Sequence, residues 1–184
     1  MRKKIKVMGL ISAFIISALT FVSSAYAYSG GTGTSDDPYQ ITTQADLEEL
    51  SRNVNAGTDY SGQHFKLTAD IQAEYADTAT WEPIGYYNNI SPDQSRAFNG
   101  TFDGNGYDIR GLEVKNANDK GKSYGLFGYI GSAGVVKDIA LGGIQISGSV
   151  GRMGGTAGVN SGKLASVLLE VPMGMLGLDL PAGT

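Results

Sequence analysis

The spacing of hydrophobic and polar positions changes character several times along the chain. Val7 to Val22 is apolar, interrupted only by Gly, Ser and Thr. Arg2, Lys3, Lys4 and Lys6 precede it and Ala25-Tyr-Ala27 follows it. A basic start, an apolar middle and an A-x-A site are the three parts of an export signal, with cleavage expected after Ala27. A spanning helix needs about 20 apolar residues, so no membrane span is expected once this leader is removed. Residues 28–38 are rich in Gly, Ser and Asp and carry no apolar period, as in a lead-in loop. Tyr39-Gln-Ile41 reads as a short strand. Thr43 then suits a helix N-cap, with Asp46 three residues on in the manner of a capping box. Leu47, Leu50 and Val54 mark one apolar helical face, with Glu48, Glu49 and Arg52 placed off it and Gly57 as the stop. Phe65 to Ile71 alternates apolar and polar residues, which predicts one strand with one buried face.

The second half repeats. Ile109, Leu112 and Val114 are echoed by Val136, Ile139 and Leu141, and then by Leu164, Val167 and Leu169. Gly106, Gly134 and Gly162 precede the three triplets, and Gly125-Leu-Phe-Gly128 is echoed by Gly155-Thr-Ala-Gly158. A period in the range of about 20–50 residues predicts stacked repeats. The segments are short, β-rich and punctuated by Gly, with no 3.6-residue period, so the repeat is a strand-based coil rather than a helical one. Successive coils would stack about 4.8 Å apart, with apolar side chains in ladders and Gly at sharp or crowded corners.

Composition narrows the chemistry. The chain has 184 residues, 27 Gly, one His and no Cys. No disulfide framework, thiol nucleophile or Cys-bound zinc is available. The formal charge is −4, but the leader holds four of the 14 basic residues and none of the 18 acids, so residues 28–184 carry −8. So acidic a chain, with no basic stripe, excludes nucleic acid and anionic lipid as expected partners. His64 has no Ser or Asp arrangement around it, and no nucleotide-binding loop is present, so no catalytic residue, cofactor or metal is assigned. Asp103-Gly-Asn-Gly-Tyr-Asp108 resembles the start of a calcium loop but departs from it at the fifth and sixth positions; turn chemistry explains it better. Asp103, Asp108 and Arg110 form the densest polar cluster. Strand alternation puts Asp108 and Arg110 on one face, which is read as a surface ion pair in preference to an acid–base pair.

Trp81-Glu-Pro-Ile-Gly85, Phe98-Asn-Gly-Thr-Phe-Asp-Gly-Asn-Gly106, Tyr124-Gly-Leu-Phe-Gly-Tyr-Ile130 and Gly154-Gly-Thr-Ala-Gly-Val-Asn-Ser-Gly162 together resemble the lead-in and first coils of GLUG-motif bacterial surface proteins. Gly33 to Ile41 and the helix after it resemble that family's N-terminal cap. The resemblance spans about residues 33–165. It implies an all-β fold, a right-handed parallel β-helix (solenoid) with a short N-terminal capping helix, on an exported, adhesin-like protein.

The expected organisation is a leader at 1–27, a lead-in at 28–38, a cap region at 39–97, coils at 98–171 and an atypical tail at 172–184. From Leu164 to Ala182, 12 of 19 residues are Ala, Val, Leu or Met. That departs from the repeat, and we read it either as a truncated or frame-shifted product of a longer gene or as a tail folded back as a plug. Trp81, Tyr86, Tyr87, Tyr107, Tyr124 and Tyr129 flank the Gly-rich turns. Flat aromatic faces stack on sugars or anchor proteins. The alternative is that Trp81 and several Tyr cover the stack. Tyr86, Tyr87 and Trp81 are the candidate ligand residues, Tyr86 and Tyr87 foremost. The expected function is a secreted or cell-surface, non-enzymatic module that binds a glycan or a surface protein. The alternatives are an accessory domain of a secreted peptidase or carbohydrate-active enzyme, and a β-helix polysaccharide lyase.

Overall fold

A computed structural model describes residues 28–76, 78–115, 117, 122–148 and 152–170; the leader and the tail from 172 on lie outside them. The described chain is mostly β. In chain order it holds β1 (Tyr39–Ile41), α1 (Gln44–Asn55), β2 (His64–Leu67), β3 (Ile71–Gln72), β4 (Thr101–Asp103), β5 (Asp108–Arg110) and β6 (Glu113–Val114). Then come β7 (Ser123–Tyr124), β8 (Phe127–Ile130), β9 (Val135–Gly142), β10 (Gln145–Ile146), β11 (Arg152–Met153), β12 (Ala157–Asn160) and β13 (Lys163–Glu170). No described helix is long and apolar enough to cross a membrane.

Every named strand pairs in parallel, and the pairings keep register over long stretches of sequence. The main sheet runs β1-β2-β4-β9-β5-β3, with β13 also on β9; β6–β10, β7–β11 and β8–β12 form three further pairs. The register builds side-chain columns. Tyr39 stands beside Phe65, Phe65 beside Phe102, Phe102 beside Val136, and Val136 beside Leu164. A second column holds Ile71, Ile109, Leu141 and Leu169. Phe65, Phe102, Val136, Ile109 and Leu141 are all 0–1% exposed. Between the columns, Phe98 meets Phe65 at 5.8 Å and Phe127 at 5.2 Å, and Phe127 meets Phe102 edge-on at 5.6 Å. Burying each such ring contributes about 1.5–3 kcal/mol.

Two expectations are corrected. The segment from Phe65 to Ile71 is not one strand. It bends at Ala69 into β2 and β3, which feed two different columns. The first apolar triplet is also out of register. Ile109 pairs with Leu141 and Val114 with Ile146, whereas the second and third triplets do align, as Val136–Leu164, Ile139–Val167 and Leu141–Leu169. The cause is the corner between β4 and β5. Asp103 aligns with Lys137, 34 positions on, but Asp108 aligns with Ala140, 32 on. Gly104 to Tyr107 therefore do in four residues what Asp138 and Ile139 do in two. Asp138 (φ 52°) turns this corner in the left-handed region, and Ser166 (φ 51°) repeats the turn in the next layer.

The glycines that carry the repeat are the ones with no room for a side chain. A Cβ on Gly128 would strike the Gly85 carbonyl oxygen, and one on Gly134 would lie 2.5 Å from that of Phe98. The Gly100 carbonyl accepts from the Val135 N–H as the Gly134 carbonyl accepts from the Lys163 N–H, so Gly100, and not Gly106, is the register equivalent of Gly134 and Gly162. Gly106 has open space and a φ of 80°; it belongs to the turn.

The helix forms as its sequence predicts. Thr43 caps it with a reciprocal box to Asp46, and Leu47, Leu50 and Val54 are 0–1% exposed. Glu49, expected off the apolar face, is 7% exposed, with its carboxylate bonded to Arg52 and Asn53. The lead-in is folded down rather than loose. Gly30 pairs antiparallel with Gln40, and Tyr28 packs edge-on to Phe65 at 5.4 Å with its hydroxyl 2.7 Å from that of Tyr60. Asp46 ties the parts together, accepting from the N–H groups of Ser29, Thr42 and Thr43 and from the hydroxyls of Ser29 and Thr43. Burial pushes its carboxyl pKa up, but the hydrogen bonds from Thr42, Ser29 and Thr43 outweigh it and hold the group below its ordinary value.

Two predictions arise from the packing. Phe102→Ala should lower unfolding free energy by about 3–5 kcal/mol, and Leu169→Ala, at the open end of the other column, by under about 1 kcal/mol, read from urea denaturation. Because the folded-state pKa of Asp46 is lowered, its stabilisation is present above about pH 4 and is lost as pH falls through the lowered value. The urea midpoint of Asp46→Asn should therefore be lower than wild type at pH 6, and the gap should close towards pH 2.

Candidate functional site

The three sequence-selected aromatics follow one another on the chain but end in different places. Trp81 is corrected as a ligand residue: it is 1% exposed. Its backbone N–H bonds Glu113 at 2.7 Å and its indole N–H bonds the Gly125 carbonyl at 3.0 Å. The ring closes the core under α1, whose Ser51 hydroxyl and Asn55 amide bond the carbonyls of Glu82 and Pro83. Its face has no approach for a sugar or a partner, as the covering alternative requires.

Beyond Trp81 the chain turns outward. Ile84 bridges in parallel to Phe127, and Gly85 takes a φ of 74° where a Cβ would press on the Arg96 carbonyl. Tyr86 then exchanges two backbone hydrogen bonds with Arg96, at 2.7 and 2.8 Å, which closes a loop over residues 87–95. Within it, Asn88 Oδ1 accepts from the N–H groups of Ile90 and Ser91, and Ser95 Oγ accepts from Asn88. Tyr87 donates its N–H to Ser123 Oγ at 3.2 Å.

This fixes Tyr86 and Tyr87 as half-buried residues on one edge. The Tyr87 ring meets Tyr129 edge-on at 5.3 Å, and the Arg152 guanidinium carbon sits 5.3 Å from the Tyr87 ring centre. A cation over an exposed aromatic face is worth about 0.5–1 kcal/mol. Tyr86 borders a small recess of about 110 Å³ with Lys115, Lys122, Glu82 and Tyr124. Lys115 is 3.3 Å from Glu113, and Lys122 is 3.8 Å from Glu82. The edge thus joins π-faces, amide groups and both signs of charge within one strip, on a chain whose net charge is negative. Sequence reasoning selected Tyr86 and Tyr87 as candidates but not Arg152, because the β7–β11 pairing brings Arg152 to Tyr87.

A second concavity, of about 600 Å³, lies between α1 and residues 78–82. Glu48, Arg52, Asn55 and Tyr75 line it. The Tyr75 hydroxyl and Asn55 Oδ1 are buried without a hydrogen-bond partner. Burial, then the Glu48 carboxylate, pushes the Tyr75 pKa well above its ordinary value, so the hydroxyl stays protonated. Nothing in the local sequence announces Tyr75, which sits in an irregular segment after β3.

The polar cluster is engaged in structure. Asp103 accepts from the Asn105 N–H at 2.8 Å and pairs with Lys137 at 2.7 Å; Asp108 pairs with Arg110 at 2.6 Å. Asp108 and Arg110 share a face opposite buried Ile109, as alternation predicts. The hydrogen bond from Lys137 to Asp103 raises the lysine pKa. Asn105 (φ 53°) and Gly106 make this segment a tight turn.

No protein-family model matches the chain, and no solved structure matches it significantly. Two curated proteins do. One, described by its name as a Gly-rich membrane protein of Evansella cellulosilytica, is 32% identical over 92% of this chain. The other, the halomucin of Haloquadratum walsbyi, is 29% identical over 86% of it. The chain spans only 19% of the first protein's length and 2% of the second's.

Trp81→Phe should remove the indole donor from the Gly125 carbonyl and cost about 1–3 kcal/mol in urea denaturation, whereas Tyr86→Phe should change stability by less than about 0.5 kcal/mol.

Proposed function

We propose that residues 39–170 are the N-terminal cap and first coils of a right-handed parallel β-helix of the GLUG-motif kind, carried by an exported bacterial surface protein. The module is non-enzymatic. It holds a rigid edge on which Tyr86, Tyr87 and Arg152 meet a glycan or a surface protein, and many weak contacts add through multivalency.

The observation that carries this reading is the column of in-register residues Tyr39, Phe65, Phe102, Val136 and Leu164, each on a strand parallel to the next. Repeated stacking of that kind is what a coil with one core layer per turn requires. The Gly125–Gly128 and Gly155–Gly158 marks support it, because Phe127 and Ala157 fall in register between them. The names of the two relatives, one a membrane protein and one a mucin-like name, support a surface setting. Tyr28 supports the leader: the first residue after the expected cleavage site is already packed against Phe65. Asp103, Asp108 and Arg110 each have a structural partner, which supports an ion-pair role over acid–base chemistry.

A glycan array probed with the purified chain should give saccharide signals that Tyr87→Ala lowers at least tenfold, and that Trp81→Phe leaves unchanged. Signals that survive Tyr87→Ala would move the contact elsewhere. Depolymerisation of any arrayed polysaccharide, abolished by Asp108→Ala, would overturn the non-enzymatic assignment.

A further inference from the structure

The chain between Glu74 and Pro83 is tied to α1 at both ends and stands off it in between. At the first end, the Glu74 N–H gives to Gln44 Oε1 at 2.9 Å and Gln44 Nε2 gives to the Glu74 carbonyl at 3.3 Å. At the second, Ser51 Oγ gives to the Glu82 carbonyl at 2.7 Å and Asn55 Nδ2 to the Pro83 carbonyl at 3.0 Å. The stretch between them is held instead by β6, where Thr80 Oγ1 and the Trp81 N–H both give to the Glu113 carbonyl. The cleft of about 600 Å³ lies between these two supports, and ligand clefts run about 300–1,000 Å³. Glu48, Arg52 and Asn55, on one helical face, form one wall, and Tyr75 and Thr78 stand in the other. Trp81 bounds the cleft but, at 1% exposed, offers no contact surface.

Two polar atoms in these walls are left over. The Tyr75 hydroxyl and Asn55 Oδ1 are buried with no hydrogen-bond partner among the described residues. The Asn55 amide N–H groups are engaged by Ser51 and Pro83, which fixes Oδ1 as the atom left unmet. Burial holds the Tyr75 proton in place, so its O–H is a donor, whereas Asn55 Oδ1 only accepts. The two therefore select a ligand group. An ammonium only donates and leaves the Tyr75 O–H unmet. A carboxylate or phosphate only accepts, leaves Asn55 Oδ1 unmet and meets the Glu48 carboxylate. A hydroxyl does both. The nearby charges already have partners, Arg52 in Glu49 and Glu82 in Lys122 at 3.8 Å, which favours an uncharged ligand. The half-buried Tyr75 ring adds a flat aromatic surface for an apolar sugar face.

We propose that the cleft between α1 and residues 75–82 binds a neutral saccharide, whose hydroxyls accept from the Tyr75 O–H and donate to Asn55 Oδ1. Neither Tyr86 nor Tyr87 lines this cleft, so the site is separate from their edge. One chain then carries two contacts for the same class of polymer, and their affinities combine by avidity.

Isothermal titration calorimetry tests this with cellobiose, maltose and N,N′-diacetylchitobiose, on the purified full chain and its variants. Tyr87→Ala, which disables the edge, should still bind at least one of the three, one molecule per chain. Adding Tyr75→Phe should weaken that binding roughly tenfold or more. This change deletes one oxygen that bonds nothing in the described protein, so the urea midpoint should not fall and the loss would belong to the ligand contact. No binding of any of the three disaccharides would overturn the proposal, and so would equal affinity with and without the Tyr75 hydroxyl. Binding to the wild-type chain that vanishes in Tyr87→Ala would overturn it too, while leaving the edge reading in place. Heat from triglycine but from none of the sugars would assign the cleft to peptides and overturn the saccharide.

Discussion

Each apolar side chain in the columns rests on its counterpart one layer away, and that contact is possible only because the strands are parallel and about 4.8 Å apart. Phe65 beside Phe102 and Ile109 beside Leu141 are instances of one rule, and the rest of the molecule accommodates it. Where the chain passes close to a neighbouring layer away from a strand, as at Gly128 and Gly134, even a methyl group would force the layers apart. The glycine content of this protein is therefore a packing requirement at these positions. A chain with no Cys reaches its stability through these layers, and their fully buried aromatic rings supply much of it.

A column of in-register apolar side chains has a problem at its first member, where it would open to water. Here the answer is polar as well as apolar. Helix α1 sets Leu47, Leu50 and Val54 into the core, and one carboxylate, Asp46, gathers the lead-in, the turn after β1 and the helix start. The lowered pKa of that carboxylate reflects how many donors converge on it. Trp81 is buried in the same core with its indole N–H on the Gly125 carbonyl, which is why a residue chosen from sequence as a ligand platform is a structural one.

Local pattern made much of this legible. The Thr43–Asp46 cap, the helix face and the alternation around Ile109 follow from the sequence, because each depends on residues within four positions of one another. What escaped depends on which layer lies against which. The triplet beginning at Ile109 looks equivalent to the one at Val136, yet the register sets Ile109 on Leu141, since the four-residue turn at Gly104–Tyr107 shifts the count. Glu49 reads as solvent-facing, yet it is buried with its carboxylate held by Arg52 and Asn53. At the candidate site the two tyrosines were visible as an exposed-looking pair, but Arg152 arrives from 65 positions away by strand pairing.

The corner between β4 and β5 has one more meaning. Its turn is two residues longer than its counterpart in β9, yet the columns on either side of it, through Phe102 and through Ile109, are undisturbed. The corner thus acts as an expansion joint, where chain length can vary without loss of alignment in the layers it connects. A protein built this way can change what its corners display, by insertion or deletion, while its core goes on reading the same ladder.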